Sequence, residues 1–322
     1  MADWRSPDLE IRVGVSACLL GEAVRYDGGH KRDAFVTDTL GHYVTWVPVC
    51  PEVEIGLGTP REAIRLEGDP AAPRLVGTKT GVDLTRRMTD YARGRVRALA
   101  GLGLSGYVLK RASPSCGLER VKVYSDDGMP GRMGRGLFAS ALVSALPLLP
   151  VEEEGRLTDP RLRESFITRV FAHRRLAALR EAGGRPGDLV AFHTAHKYLL
   201  LAHSPRHYAA LGRLVAGRPG GTRARWLDAY SEQFMAALGV MATAKKHVNV
   251  LQHLMGFFKD RLAPPEKREL LGLIDDYARG LVPLVVPITL VNHYVARFDV
   301  AYVRDQVYLR PHPKELMLRN HV

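Results

Sequence analysis

Three cysteines are the residues of this sequence best suited to chemistry, and their positions share one feature. Cys18, Cys50 and Cys116 each come at or shortly after the C-terminal end of an apolar, valine-containing run that is typical of a β-strand. In open α/β sheets, ligands bind outside the carboxyl ends of the strands, so thiols far apart in the chain can meet in one crevice there. We therefore treat the three cysteines as one candidate site.

The donor set predicts a metal centre, although the spacing alone says little. Intervals of 32 and 66 residues match no C-x-x-C signature, and a buried structural role for each cysteine stays open. Three thiolates are soft ligands that suit an iron–sulfur cluster or a zinc ion. With no fourth protein ligand in view, the metal keeps an open position for water or substrate. The pattern thus predicts a catalytic metal site.

The elements that must position these cysteines follow from the hydrophobic pattern. In the first half, short β-branched runs alternate with helical stretches, which favours an α/β layer with a largely parallel sheet. The predicted strands cover 11–17, 42–49 and 105–110, and the predicted helices cover 85–100 and 137–146. The second half is helical almost throughout, with helices over 162–182, 222–239, 242–262, 266–280 and 289–297 and another beginning at 193. We expect an α/β domain over residues 1–150 and an all-α domain over 151–322.

The charge is distributed unevenly between the two halves. Residues 1–160 hold 21 basic and 21 acidic side chains, whereas residues 161–322 hold 25 and 13, so the net charge of +12 belongs to the second half. A domain with this excess repels itself unless it meets a polyanion. Nucleic acid is therefore the leading partner for the helical half, and an acidic membrane surface is the second.

The composition and the N-terminal residues predict a soluble cytoplasmic protein. With 322 residues and 46% hydrophobic side chains, the chain can bury proper cores, which excludes disorder and a fibrous architecture. Three cysteines cannot all pair, which favours a reducing compartment. The first ten residues lack the features of a signal peptide, and the longest apolar stretch, 281–291, is too short to span a membrane.

Four motifs, taken in order, resemble the thiouracil desulfidase (TudS) family. They are VSACLLG at 15–21, VRYDG at 24–28, PVCPEVEIGLGTPR at 48–61 and SPSCG at 113–117, and the resemblance covers about residues 11–147. Residues 192–318 resemble the YbgA-like helical domain through FHTAHK at 192–197 and NVLQHLMGFFK at 249–259. Together the two halves resemble the fused tRNA 4-thiouridine desulfidases (RudS).

The resemblance implies a cofactor and roles for particular residues. It implies a [4Fe-4S] cluster held by Cys18, Cys50 and Cys116, with an open iron for the sulfur of a thiolated uracil. It implies that Glu52 is the acid/base group and that Ser113 orients substrate or water; a solvated or capping carboxylate and a turn serine are the alternatives. Polarisation of the C–S bond lets water attack the ring carbon, which gives uridine and sulfide without net redox.

Further candidates fall into a substrate set and an RNA set. A base, ribose or phosphate could be bound by Arg25, Tyr26, Asp27, Lys110 and Arg111, although a tight turn also explains Asp27. Arg61 is predicted to pair with Glu54. Phosphate contacts in the helical half are expected from Lys197, Lys245, Lys246, His253 and Lys259, for which a solvated helix face is the alternative.

Four histidines in the helical half also invite a metal hypothesis. His193, His196, His203 and His207 fall within about 80° of one another on an ideal helical wheel. However, Ser204-Pro205 interrupts the helix between the two pairs, and no carboxylate or cysteine joins them. Hydrogen bonds between helices or contacts with RNA are therefore favoured over zinc.

The residues and the resemblance together predict a desulfidase that removes sulfur from 4-thiouridine in tRNA. One alternative keeps this chemistry but makes free thiouracil or a thiouridine nucleotide the substrate. Another is a non-catalytic iron–sulfur protein that binds nucleic acid and senses redox state.

Overall fold

The computed structural model describes residues 3–6, 8–125, 128–217 and 222–322, and these divide into two compact units. One unit is Glu10–Asp159, and the other joins Pro160–Val322 to the described residues before Glu10. The division lies beyond the predicted boundary at residue 150 because Val151–Glu153 forms a strand that pairs with Leu104–Leu109. The short N-terminal segment belongs to the helical unit, which the sequence pattern did not predict.

The Glu10–Asp159 unit alternates strands and helices, as expected of an α/β domain. Its elements are β1 (Arg12–Ser16), β2 (Thr45–Val49), α1 (Pro51–Glu54), β3 (Ile64–Glu67), β4 (Arg74–Gly77), α2 (Thr85–Ala100), β5 (Leu104–Leu109), β6 (Val121–Tyr124), β7 (Pro130–Gly134), α3 (Leu137–Ala145) and β8 (Val151–Glu153).

The main sheet has the order β2-β1-β5-β8, and every neighbouring pair is parallel. This confirms the predicted α/β fold with a parallel sheet. In register, Ser16 at the end of β1 lies opposite Val49 at the end of β2, and Val15 lies opposite Val108 near the end of β5. The carboxyl ends of these three strands therefore meet at one edge of the sheet.

A second four-stranded sheet, of order β4-β3-β6-β7, was not predicted as a sheet. Its pairs β3–β4 and β6–β7 are antiparallel, and β3–β6 is parallel. Leu66, Val121 and Val123 are buried, whereas the intervening Lys122 is exposed. Strands of four or five residues with one buried face give too few alternations to be recognised.

Helices α2 and α3 cover the core of this unit. Met88, Ala92, Val96 and Leu99 form the buried stripe of α2, at the spacing that predicted the helix. Phe138 of α3 contacts Tyr107 of β5, with ring centroids 6.0 Å apart.

The second unit is helical, as predicted. Its helices are α4 (Pro160–Glu181), α5 (Pro186–Ala195), α6 (Lys197–His203), α7 (Pro205–Gly217), α8 (Arg223–Gly239), α9 (Ala244–Met255), α10 (Pro264–Ala278), α11 (Val285–Arg297) and α12 (Ala301–Arg304). The helix predicted to begin at 193 is divided at His196, and the one predicted over 242–262 ends at Met255. In the described part of the chain, none of the helices combines the length and apolar character that crossing a membrane requires.

Candidate functional site

The three cysteines come together at the carboxyl edge of the main sheet. Cys18 lies in the 3₁₀ turn Ala17–Leu20 directly after β1, and Cys50 joins β2 to α1. Cys116 follows β5 in the loop before β6. All three line one pocket of about 350 Å³, the cysteine pocket. The convergence inferred from the strand ends is therefore present in the structure.

The loop that carries Cys116 depends on two glycines. A Cβ on Gly117 would lie 2.3 Å from the side chain of Val121, and a Cβ on Gly136 would lie 2.4 Å from the carbonyl oxygen of Ser115. The N–H of Gly136 donates to the carbonyl of Gly117 at 2.8 Å. Only glycine permits this close approach, which packs the cysteine loop against the start of α3.

Burial keeps the thiols protonated in the metal-free chain. It raises the pKa of Cys18 to about 11, with a further contribution from the neighbouring Cys50. Burial also raises the pKa values of Cys50 and Cys116. Lys110 and Arg25 act in the opposite direction on Cys18, because positive charge favours the thiolate. Metal binding at this site must therefore displace protons.

The chemistry of the donor set, three thiols in one pocket, fits an iron–sulfur cluster. Within residues 3–6, 8–125, 128–217 and 222–322, no three histidine, cysteine or carboxylate side chains lie close enough to hold one metal ion. In the same pocket, Arg25 Nε is buried and makes no hydrogen bond within the described residues. Arg25 Nε does lie 3.6 Å from Asp27 Oδ1 as an ion pair, and three soft donors beside this guanidinium suit an anionic iron–sulfur cluster.

Glu52 lines the same pocket and is fixed through both of its carboxylate oxygens. Arg61 donates from Nη2 and Nε to Glu52 Oε2, at 2.6 and 3.1 Å. Ser115 donates to Oε1 at 2.5 Å, and Ser113 lies 3.4 Å from the same oxygen. The predicted pairing of Arg61 with Glu54 is wrong, because Glu54 instead accepts a hydrogen bond from Tyr91 and pairs with Arg95.

The two serines have different neighbours. Ser113 Oγ accepts the backbone N–H of Cys116 at 3.1 Å, so this hydroxyl stabilises the loop that carries the ligand. Ser115 is fully buried and makes the shorter contact with Glu52. Ser115 was not among the predicted site residues, although its position one residue from Cys116 in the SPSCG motif could have indicated it.

Four of the five predicted substrate residues line the pocket: Arg25, Tyr26, Lys110 and Arg111. Tyr26 is 44% exposed, and the guanidinium of Arg25 lies 5.4 Å from its ring centroid. Lys110 is ion-paired with Glu154, which reduces its availability to a phosphate. Asp27 does not line the pocket; it accepts the backbone N–H of Gly29 at 3.1 Å, as the tight-turn alternative predicted.

The predicted RNA residues of the helical unit differ in availability. Lys245, His253 and Lys259 are exposed. Lys197 lies over the rings of Tyr198 and Tyr302, at 5.2 and 6.0 Å. Lys246 is committed elsewhere, because its ammonium donates to the carbonyls of His203 and Met241 at 2.6 and 3.1 Å.

The four histidines of the helical unit have separate hydrogen-bond partners. Their Nδ1 atoms lie within hydrogen-bond distance of Tyr230 for His193, Phe192 for His196, Val240 for His203 and Ser204 for His207. Tyr230 lies on α8 and Phe192 on α5, whereas Val240 directly follows α8 and Ser204 lies between α6 and α7. The structure thus agrees with the favoured interpretation of structural hydrogen bonding.

Comparison with known proteins defines the families. Residues 13–154 match the 2-thiouracil desulfurase family, and residues 197–313 match a protein family of unknown function, DUF1722. The chain belongs to the 2-thiouracil desulfurase family through its α/β unit and to the YbgA-like DUF1722 family through its helical unit. The resemblance inferred from the cysteine motifs is confirmed.

Individual relatives each match only part of the chain. The uncharacterized protein YbgA of Escherichia coli (strain K12) is 34% identical over 166 residues, which are 50% of this chain and 95% of YbgA. The uncharacterized protein YbbK of Bacillus subtilis (strain 168) is 33% identical over 108 residues, 32% of this chain and 71% of YbbK. A solved structure of the [4Fe-4S]-dependent thiouracil desulfidase TudS is 31% identical, with a TM-score of 0.40, and the match covers 49% of this chain and 99% of that one.

Proposed function

We propose that this protein is a desulfidase that hydrolyses the C=S bond of a thiolated uracil, with 4-thiouridine in tRNA as its substrate. The observation that carries the proposal is the convergence of Cys18, Cys50, Cys116 and Glu52 on one pocket. Membership of the 2-thiouracil desulfurase family supports the reaction class.

The cysteines would hold a [4Fe-4S] cluster, and a bound cluster would supply a soft Lewis acid for the thiocarbonyl sulfur. Glu52 is the group placed to take a proton from the attacking water, because it lines the pocket and its carboxylate is held in one orientation. Arg61 and Ser115 provide that orientation. Ser113 fixes the loop beside them.

The reaction balances without an oxidant or a reductant. Water adds its oxygen to the ring carbon, the C–S bond breaks, and the two protons of water leave with the sulfur as hydrogen sulfide. The uracil carbonyl replaces the thiocarbonyl. Tyr26, half-exposed at the pocket, offers a face on which a pyrimidine can stack.

Binding of tRNA is supported by the basic half of the chain. Its excess positive charge favours contacts with phosphates. Lys245, His253 and Lys259 expose polar groups in and just after α9. Phe257 and Tyr302 stack with ring centroids 5.2 Å apart, are 40% and 39% exposed, and have Lys197 nearby. Exposed aromatic rings beside a cation are typical of surfaces that bind unpaired bases.

The chemistry is tested with protein reconstituted anaerobically with iron and sulfide. We expect the wild type to take up a cluster and to release sulfide from thiolated uracil. Cys50→Ala should lose both the cluster absorbance and the sulfide release. A wild type that loads fully with cluster yet releases no sulfide from free or RNA-bound thiouracil would contradict the proposal.

Free thiouracil is the second candidate substrate, since the family description names this base. Two double variants distinguish the two candidate substrates. Lys245→Gln/Lys259→Gln changes the proposed RNA residues, and Lys267→Gln/Lys314→Gln changes two exposed lysines elsewhere in the helical unit. If tRNA is the substrate, only the first pair should raise the KM for thiolated tRNA, by about fivefold or more. Equal KM values for both pairs, with a better kcat/KM on free base, would favour thiouracil.

A further inference from the structure

A second cavity adjoins the cysteine pocket in the α/β unit. It has a volume of about 670 Å³ and lies along β6 and the loop that precedes it. It shares four lining residues with the cysteine pocket: Ile64, Arg111, Ala112 and Pro114. We call this cavity the flanking groove.

Basic side chains dominate the flanking groove. Two acidic residues line it, Glu119 and Glu153, against five basic ones: Arg65, Arg111, Arg120, Lys122 and Arg156. The groove is thus locally positive although the first half of the chain has no net charge. The net charge summed over residues 1–160 therefore does not reveal this patch.

The two carboxylates are already engaged by the protein. Glu153 Oε1 accepts the backbone N–H of Leu118 at 2.8 Å and lies 3.4 Å from that of Glu119. Glu119 lies 3.8 Å from the guanidinium of Arg156. Arg65 also pairs with Glu67 and Arg156 with Glu152. Within the described residues, neither Glu119 nor Glu153 forms an ion pair with another cation of the groove.

Three of the cations have no acidic partner anywhere in the described part of the chain: Arg111, Arg120 and Lys122. Their side chains make no ion pair or hydrogen bond there, while all three residues are exposed. Arg111 stands at the junction with the cysteine pocket, with its Cδ only 2.8 Å from where a Cβ on Gly155 would lie. Arg120 directly precedes β6 and Lys122 lies within it, and neither residue lines the cysteine pocket. Tyr124 adds an aromatic face, with the guanidinium of Arg65 5.1 Å from its ring centroid.

We propose that the flanking groove binds the sugar–phosphate chain of RNA next to the nucleotide whose base enters the cysteine pocket. This inference rests on the proposed function. A free base carries no phosphate and needs only the cysteine pocket. A mononucleotide places one phosphate near the junction, at Arg111. Cations that continue beyond the junction suit the successive phosphates of a polynucleotide.

The test compares two double variants of the full-length protein that remove the same charge. Arg120→Gln/Lys122→Gln changes the groove, whereas Arg86→Gln/Arg93→Gln changes two exposed arginines on α2. Binding of an unmodified tRNA transcript is measured by fluorescence anisotropy as a function of salt. Arg120→Gln/Lys122→Gln should bind tRNA at least about tenfold more weakly than the wild type at 0.1 M salt. The slope of its plot of log K against log salt concentration should be smaller in magnitude by about 1.4, which is about 0.7 for each lost phosphate contact. The α2 pair should match the wild type.

Equal affinity and equal salt dependence for the two pairs would overturn the inference, as would a wild type that binds no tRNA. Binding of uridine monophosphate as tight as binding of tRNA would also overturn it, because one phosphate would then be sufficient. If the double variant does not fold by circular dichroism, Lys122→Gln alone is used, with a slope change of about 0.7. These binding results do not depend on sulfide release, so a failure of the proposed function is detected separately.

Discussion

Glu52 illustrates how much a site residue depends on its neighbours. Its carboxylate lines the cysteine pocket, but Arg61, Ser113 and Ser115 set the position of its oxygens. Arg61 is itself held by the carbonyls of Gly58 and Val24, at 2.9 and 3.0 Å. The proposed proton transfer therefore depends on the whole hydrogen-bonded group.

We predict that Glu52→Gln retains the cluster but lowers kcat for sulfide release by at least about 100-fold, because a general base typically contributes that much or more. The measurement is the rate per cluster, with cluster content taken from iron analysis. Glu62→Gln is the control, since Glu62 binds the backbone of Lys79 and Thr80 and does not line the pocket. An unchanged rate for Glu52→Gln would show that Glu52 is not the general base.

Ser115→Ala should lower kcat about tenfold with little change in KM, because it frees Glu52 Oε1 from a 2.5 Å hydrogen bond while leaving the pocket lining in place. Ser105→Ala is the matched control: Ser105 is equally buried, and its hydroxyl has no hydrogen-bond partner in the described part of the chain. Equal kinetics for the two variants would remove Ser115 from a positioning role.

The sequence indicated some of these residues and missed others for a physical reason. The cysteines were indicated because strand ends and donor chemistry are local properties. Glu52 and Ser113 entered through the family resemblance. The Glu52–Arg61 pair was missed, because choosing between Glu52 and Glu54 requires knowing which side of α1 faces the pocket. Ser115 was missed although it directly precedes Cys116 in the SPSCG motif.

At the scale of the elements, the site depends on close packing between strands. Gly14 of β1 lies opposite Tyr107 of β5 in register, and a Cβ on Gly14 would lie 2.2 Å from the tyrosine ring. Since β1 leads to Cys18 and β5 leads towards Cys116, their separation affects the ligand positions.

We predict that Gly14→Ala lowers the free energy of unfolding by about 1 to 3 kcal/mol through overpacking. Gly94→Ala should instead raise it by about 0.5 to 1 kcal/mol, because Gly94 lies in the interior of α2 and a Cβ there meets nothing within 4 Å. Urea unfolding of both variants measures the difference. A Gly14→Ala protein as stable as the wild type would contradict the packing described here.

Elements with a clear helical period or a continuous apolar run were predictable, and strands without such a run were not. Helix α2 was predicted with its observed ends because its apolar stripe extends over four turns. Strands β3, β4, β6 and β7 were missed because each has four or five residues of which at least one is charged, so no continuous apolar run marks them. The flanking groove depends on β6, so its charge pattern was equally hidden in the sequence.

At the scale of the whole molecule, the helical unit holds buried histidines that make its stability sensitive to acid. Burial lowers the pKa of His196 and of His247 to about 3, compared with about 6.5 in an unfolded chain. The unfolded chain therefore binds protons that the folded unit excludes. Stability should be complete above about pH 6.5 and should decrease as the pH falls towards 3, by roughly 1.4 kcal/mol per pH unit for each histidine.

His247→Asn should reduce this pH dependence, because asparagine can still reach the hydroxyl of Tyr308, 2.9 Å from His247 Nδ1, but does not titrate. The free energy of opening of α9 is measured by hydrogen exchange between pH 7.5 and 4.5. His293→Asn, at an exposed position, is the control, and its opening free energy should keep the wild-type dependence on pH. If the opening free energy depends on pH equally in the two variants, the buried imidazole of His247 is not the cause of that dependence.

The central claim joins both units in one activity: removal of sulfur from thiolated uridine in RNA. Its most direct test is mass spectrometry of the nucleosides of 4-thiouridine-containing tRNA after incubation with the anaerobically reconstituted protein. We predict that 4-thiouridine is lost, that uridine appears in equal amount, and that Cys50→Ala leaves the tRNA unchanged. A fully cluster-loaded wild type that leaves 4-thiouridine intact would contradict the claim.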